Sequence, residues 1–468
     1  MTHSPTRPRT PLRLSANRRY LVDADGLPFL YVGDTAWAVV WKGGPEQWQT
    51  YLDRRQSQGF SVVQVNLLPW RWEMTDAEGN RPFHDGDPDR PNEAYFARFD
   101  RFLALAAEHG LVTCLMLIWG GPRPDLPAVH FSTEQAVRFA RWAVERFTRY
   151  PMIWSVSGDA PYDEEPEKWD AVGRAVQDAD PNGHPTTNHL MTGRAWRFLH
   201  HDAPWHDFHM IQTGHYEPAR PNVADLAAAY YRAEPIKAYV NGEPWYEAHP
   251  DMTNRPTYGP LFTAEHVRYA FWVSVLSGAT MGHTYGGQGI WNWKRPGDSE
   301  VQMAGPQIGP TWEQALELPG AQHCADAAAF FRSQRWHDLQ PAPERVRSAS
   351  RETPRERQPA CAILPGARWI VYLPAAPSDP SDSSHLPVDR TAPTDSATPR
   401  GPATPPTNPA SVLLLGVEAD TWRARWLDPR TGAEHKIGPV DVSPEGIWPS
   451  PPRPGSDDWV LILDAEER

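Results

Sequence analysis

From about residue 20 to residue 336, short apolar runs alternate with longer stretches whose apolar residues recur every three or four positions. The short runs lie at 29–34, 61–68, 111–119, 152–157, 186–190, 207–212, 236–241 and 278–285. The short runs read as strands. Between them, helical spacing marks 45–58, 92–109, 132–149, 166–178, 223–232 and 263–277, with another helix at 312–334 and the weakest signal around 193–200. Pro45 and Pro166 suit first helical positions, and Ser132 with Gln135 three residues on reads as a capping box. Eight strand–helix repeats predict a (β/α)8 TIM barrel over 19–340, with a doubly wound sheet as the alternative.

After Trp336 the pattern changes. Polar residues at 341–358 carry no periodicity, and alternating runs then appear at 369–373, 411–417, 422–427 and 459–463. Turn signals such as Asp428-Pro429-Arg430-Thr431-Gly432 separate them. Residues 341–468 are therefore expected to form a small all-β domain, a β-sandwich. Within it, 374–410 holds ten prolines and no aromatic residue. Such a segment cannot bury enough apolar surface to order itself, so a disordered insertion is expected. A flexible N-terminus is expected over 1–18.

Composition narrows the function. The 468 residues carry a net charge of −13, with no block of Lys and Arg. Nucleic acid and anionic membrane are poor partners for such a chain. No stretch of 18 apolar residues occurs, and 1–19 lacks the apolar core of a secretory leader, so a soluble, cytoplasmic protein is expected. Cys114, Cys324 and Cys361 lie far apart, which implies no disulfide scaffold. The 22 tryptophans often stand beside polar or glycine residues, as in Trp70-Arg71-Trp72 and Trp291-Asn292-Trp293. Aromatic faces beside polar groups suit sugar rings, although large aromatics also simply fill large cores.

In a barrel of this kind chemistry sits at the carboxyl ends of the strands. The polar residues ending the runs are Asp34 and Trp37; Gln64 with Asn66; Trp119; Asp159; Gln212 and His215; Glu243, Tyr246 and Glu247; and His283 with Tyr285. Glycoside hydrolysis needs two carboxyls flanking the scissile bond. Asp159 and Glu243, three strands apart, face each other across the expected barrel mouth and are the catalytic candidates. Alternatively Asp159 caps a helix and Glu243 pairs with an arginine such as Arg268. Gln64, Gln212, His215, Tyr246, His283 and Tyr285 are candidate holders of sugar hydroxyls, and Trp37, Trp119 and Trp291 candidate ring platforms. Asp34 either grips hydroxyls or holds the strand-one loop. Glu247 reads as a supporting residue. The histidines at 200, 201, 206 and 209 match no metal-binding helix, so neither metal nor cofactor is expected.

Residues 20–25, Gly33-Asp34-Thr35-Ala36-Trp37, Pro91-Asn92-Glu93-Ala94-Tyr95, Gln212-Thr213-Gly214-His215, Asn241-Gly242-Glu243-Pro244-Trp245-Tyr246-Glu247, Gly282-His283-Thr284-Tyr285-Gly286 and Leu318-Pro319-Gly320-Ala321-Gln322 resemble the apiosidase-like glycoside hydrolases, family 140 and its relatives. The resemblance runs in order from about 18 to 340. The C-terminal part, with residues 425–432 and 458–461, resembles the collagen-binding-type β domain often attached to them. The resemblance implies a retaining hydrolase acting on a furanose-type sugar, apiose-like or arabinofuranose-like, with the family's aspartate acid/base on Asp159 and its glutamate nucleophile on Glu243. Relatives carry two glycines before the aspartate where this chain has Ser157-Gly158. Ser157 is therefore expected to reshape the subsite or bond to Asp159. The expected partner is a small or oligosaccharide glycoside. A non-catalytic sugar-binding barrel and a metal-dependent hydrolase using the 200–209 histidines are the alternatives.

Overall fold

The computed structural model describes residues 7–466 except 122, 161, 255–256, 299–307, 350–352, 377–411 and 419–420. A parallel sheet forms the barrel: β1 (Tyr31–Thr35), β2 (Val62–Asn66), β3 (Val112–Trp119), β4 (Met152–Gly158), β5, β6 (Phe208–Gln212), β7 (Ala238–Glu243) and β8 (Gly282–Tyr285). The fifth strand is split at Asn188. Thr186–Thr187 pairs with β4 and His189–Leu190 pairs with β6, so the ring closes through the two halves of one strand. Strand residues are buried almost throughout, as the continuous apolar runs require.

Helices follow the strands: α1 (Pro45–Ser57), α2 (Glu93–Glu108), α3 (Thr133–Phe147), α4 (Pro166–Ala179), α5 (Arg220–Arg232), α6 (Ala264–Leu276) and α7 (Pro319–Arg332). The expected capping box forms: Ser132 Oγ accepts from the Gln135 N–H at 3.2 Å, and Gln135 Oε1 accepts from the Ser132 N–H at 3.1 Å. After the fifth strand there is only a 3₁₀ segment, Thr192–Arg197, where the periodicity was weakest. The stretch 312–334 is two helices, because Pro319 lacks an N–H and takes the first position of α7.

Of the N-terminal segment expected to be flexible, residues 7–18 are anchored. Leu12 is fully buried, Arg13–Leu14 pairs with Leu21–Val22, and the Arg13 guanidinium donates to the carbonyls of Asn182 and Gly183. Residues 1–6 lie outside the described residues, as does most of the proline-rich stretch. The three cysteines are free and buried. Among the described residues no helix is long and apolar enough to cross a membrane.

The C-terminal domain stacks a six-stranded antiparallel sheet on a three-stranded one. Strand pleating sorts its residues between two cores. Cys361, Ile363, Trp369, Val371, Leu461 and Leu463 face the smaller sheet, while Ala360, Ala362, Ile370, Tyr372, Val460 and Ile462 join the barrel's core. Arg268 on α6 closes this junction. Its Nε and Nη2 donate to the two carboxylate oxygens of Asp458 at 2.8 and 2.7 Å, and the Tyr372 hydroxyl adds a third bond at 3.0 Å. Arg268 therefore serves the domain junction, and Glu243 has other partners.

Candidate active site

At the carboxyl end of the barrel lies a cleft of about 410 Å³. Asp159 reaches it because the chain turns sharply after β4: its φ is +50°, a left-handed conformation that aspartate tolerates better than most residues. Gly158, just before it, leaves room for the Trp119 ring, which a Cβ there would approach to 2.2 Å. Glu243 ends β7, and Gly242 before it lets Met210 pack at what would be 2.3 Å from a Cβ. One carboxylate oxygen of Asp159, one of Glu243 and one ring nitrogen of His189 lie within 4.8 Å of one another. The Asp159 side chain keeps 30% of its surface exposed to the cleft and Glu243 only 7%. One carboxyl thus faces the opening, and the other sits at the base.

Their surroundings drive them apart. Glu243 Oε1 lies 3.0 Å from His215 Nε2, and Oε2 lies 3.2 Å from His189 Nε2, off the axis of a well-formed hydrogen bond. Burial alone would raise the Glu243 pKa, but its contacts with His189 and His215 prevail and hold it well below the ordinary carboxylate range. Burial pushes Asp159 up to about 7, the charge of Glu243 adds to the rise, and His189 offsets it in part. The Gln212 side-chain amide faces Asp159 Oδ1 at 3.5 Å. Such a pair holds a proton on one group and a negative charge on the other.

Of the residues expected from sequence, Trp37, Trp119, Asp159, Gln212, His215, Glu243, Tyr246 and Trp291 line the cleft. The Trp37 indole N–H donates to the Tyr246 hydroxyl at 2.8 Å, so it orients that tyrosine as well as walling the cleft. Four expected ligands lie elsewhere. Asp34 is buried behind the barrel wall, accepting from Arg55 Nε at 2.6 Å and from the Tyr51 hydroxyl at 2.8 Å, both on α1. Gln64 lies in the barrel interior, bonded to the Tyr31 and Thr284 hydroxyls and to the Gly242 carbonyl. His283 packs on Phe271 of α6, and burial pushes it down to about 3. The Tyr285 hydroxyl donates to Glu247 at 2.9 Å. Glu247 in turn accepts from the Gly320 N–H at the start of α7, a supporting role. Ser157 does not touch Asp159; its hydroxyl donates to the Ile118 carbonyl.

Sequence reasoning missed His189, together with the cleft-lining Trp70, Arg71, Arg123, Met191, Tyr216, His249 and Met252. Trp70 stands out in the sequence only as one of the tryptophans in polar surroundings, in Trp70-Arg71-Trp72. His201 stacks on His209, and His206 meets His209 edge-on, at the start of β6 and away from the cleft; burial holds His206 and His209 below the usual histidine range. Among the described residues the only trio with metal-ligand spacing is Asp159, His189 and Glu243.

Residues 15–338 match the family model of the apiosidase-like catalytic domain. No protein of curated function matches the sequence significantly. Among solved structures, one described as a glycoside hydrolase has a TM-score of 0.80 at 21% identity, covering 98% of this chain and 97% of that one. A family 5 glycoside hydrolase from Bacteroides vulgatus gives 0.77 at 21% identity, covering 97% and 93%. A family 5 mannosidase from Rhizomucor miehei gives 0.50 at 14% identity, covering 69% and 98%. At these identities the structural likeness speaks for the fold, and the family match speaks for the lineage: the chain belongs to the apiosidase-like catalytic-domain family and is a glycoside hydrolase.

Proposed function

We propose that this protein is a retaining glycoside hydrolase that cleaves a small or oligosaccharide glycoside with a furanose-type glycone, apiose-like or arabinofuranose-like. One observation carries the reading: two carboxyls from the fourth and seventh strands approach within 4.8 Å, one held charged and the other raised to titrate at about 7. Retaining enzymes place these groups about 5–5.5 Å apart, whereas inverting enzymes leave about 6.5–9.5 Å for a water molecule. The furanose preference rests on the family, and the cleft volume lies in the range of small-ligand sites.

In this mechanism the Glu243 carboxylate attacks the anomeric carbon while Asp159 gives its proton to the departing oxygen. The glycosyl ester on Glu243 then meets a water molecule whose proton Asp159 takes, and both residues return to their starting states. Trp37, Trp119 and Trp291 supply apolar faces for the sugar ring, and Gln212, His215 and Tyr246 supply polar contacts. A hydrolysis screen over aryl apiosides, arabinofuranosides and pyranosides tests the reading, with wild type, Asp159→Asn and Glu243→Gln side by side. Turnover of one sugar that both variants lose by about 10³-fold or more is the expected result. Turnover that neither substitution affects removes the site assignment, and sugar binding without turnover makes the protein a binding module.

A further inference from the structure

Among the described residues His189 is the one titratable side chain in contact with both carboxyls, and it stands where the barrel wall is split. Its ring is fully buried, with Nδ1 3.6 Å from Asp159 Oδ1 and Nε2 3.2 Å from Glu243 Oε2. Its orientation is fixed from several sides. Trp37 meets it edge-on with ring centres 5.6 Å apart, and Trp119 lies 6.4 Å away. The His189 backbone N–H donates to the Tyr162 hydroxyl at 3.1 Å, which itself donates to the Ser157 carbonyl at 2.7 Å. The segment bearing the histidine is thereby tied to the strand end bearing Asp159.

The backbone N–H of Asp159 points at His189 Nδ1 at 3.4 Å. A ring nitrogen that accepts carries no proton, so in the neutral ring the proton sits on Nε2 and faces Glu243. The same contact gives the left-handed Asp159 its amide partner. We propose that His189 is a positioning residue that sets the division of labour between the two carboxyls, steadying the turn that presents Asp159 and directing an N–H at Glu243. The proposal rests on the assignment of Asp159 and Glu243 given above.

The groups facing this ring are Asp159 beyond β4, Glu243 on β7 and the Tyr162 hydroxyl, with Gln212 beside Asp159 and His215 and Tyr246 around Glu243. Once its ring is charged, a state that Glu243 and Asp159 favour against the opposing effect of burial, His189 lowers the pKa of both carboxyls, Glu243 through a contact and its charge and Asp159 through its charge alone. Its removal raises both, and each limb of the pH–rate profile moves toward higher pH. A purely architectural role would reduce activity equally at every pH.

The test pairs His189→Asn, which keeps an acceptor near the Nδ1 position, with His189→Gln, which keeps a donor near Nε2; neither titrates. The kcat/KM pH profile, the separate kcat and KM, and thermal melting are measured for each. The expected result is a kcat loss of about 10²-fold in His189→Asn, a smaller loss in His189→Gln, little change in KM, and both limbs displaced upward. Limbs that stay in place in both variants overturn the proposal, whatever the loss of rate. Should neither variant fold, 15N-histidine NMR of the wild-type protein decides. A His189 protonated on Nε2, whose signal shifts when a 2-fluoro glycoside occupies the site covalently, supports the role; a ring protonated only on Nδ1, or unmoved by the label, overturns it. Asp159→Asn and Glu243→Gln run alongside. If they retain full turnover, the catalytic assignment itself has failed; if they are inactive and the histidine limbs stay put, only this inference has.

Discussion

Asp34→Asn separates a structural carboxylate from a substrate-gripping one. Both partners of the Asp34–Arg55 pair are 1% exposed, and their contact is 2.6 Å. The guanidinium sits among the rings of Tyr51, Phe60 and Tyr285 at 5.6, 5.1 and 5.4 Å, where water does not compensate a lone charge. Asparagine preserves the shape and removes the negative charge, leaving Arg55 buried and uncompensated at a cost of about 3–5 kcal/mol. Asp34 Oδ1 and Arg55 Nη2 already lack partners, which places the loss toward the lower end of that range. At about 1–2 °C per kcal/mol for a unit of this size, the melting temperature should fall by about 3–10 °C. The assay is thermal and urea unfolding followed by tryptophan fluorescence, with KM and kcat measured well below the transition. KM should stay within about threefold, since Asp34 does not line the cleft. Adding Arg55→Met should recover part of the loss, because no unpaired charge then remains. A stability change below about 1 kcal/mol together with a tenfold rise in KM would refute the reasoning and return Asp34 to the substrate.

Activity should follow a bell-shaped pH profile. Its alkaline limb lies near 7, where Asp159 loses the proton it must donate, and its acid limb lies below the usual carboxylate range, where Glu243 becomes protonated. Stopped kinetics with a substrate whose leaving group needs no proton should flatten the alkaline limb of the first step. Gly158→Ala should lower kcat/KM by about 10–10²-fold with the fold intact by circular dichroism, because the added methyl displaces the Trp119 ring and shifts the adjoining Asp159. Asp458→Asn removes the charge that holds Arg268 at the domain junction; unfolding should begin at a melting temperature lower by several degrees while kcat at 25 °C stays unchanged.

The barrel was legible because its parallel strands are buried on both faces and so appear as unbroken apolar runs, each followed by helical spacing. The same property hid which strand-end residues face the cleft. Along β1, Tyr31 points into the barrel and bonds to Gln64, whereas Asp34, three residues on, points out to α1. Along β8, Thr284 reaches Gln64 inside while its neighbours His283 and Tyr285 contact Phe271 and Glu247 outside. Alternation by one residue decides the role, and a run that is apolar on both faces carries no marker of its phase. Gln64 faces inward yet lies below the cleft, a matter of depth that composition does not encode. Asp159 and Glu243 could be placed at the cleft from sequence because they follow β4 and end β7, positions that the strand order brings to the barrel mouth. His189 was missed because 186–190 reads as an ordinary core strand. Only the closure of the ring, with one half-strand on β4 and the other on β6, brings its side chain between the carboxyls.

The covalent role of Glu243 is the central claim, and trapping tests it most directly. The protein would be incubated with an activated 2-fluoro glycoside of the sugar it turns over, and the labelled peptide identified by mass spectrometry. In parallel, proton NMR would follow the first-formed anomer from the natural glycoside. The account predicts a single label on Glu243 and a product of retained configuration. A label on any other residue, or a product of inverted configuration, would contradict it.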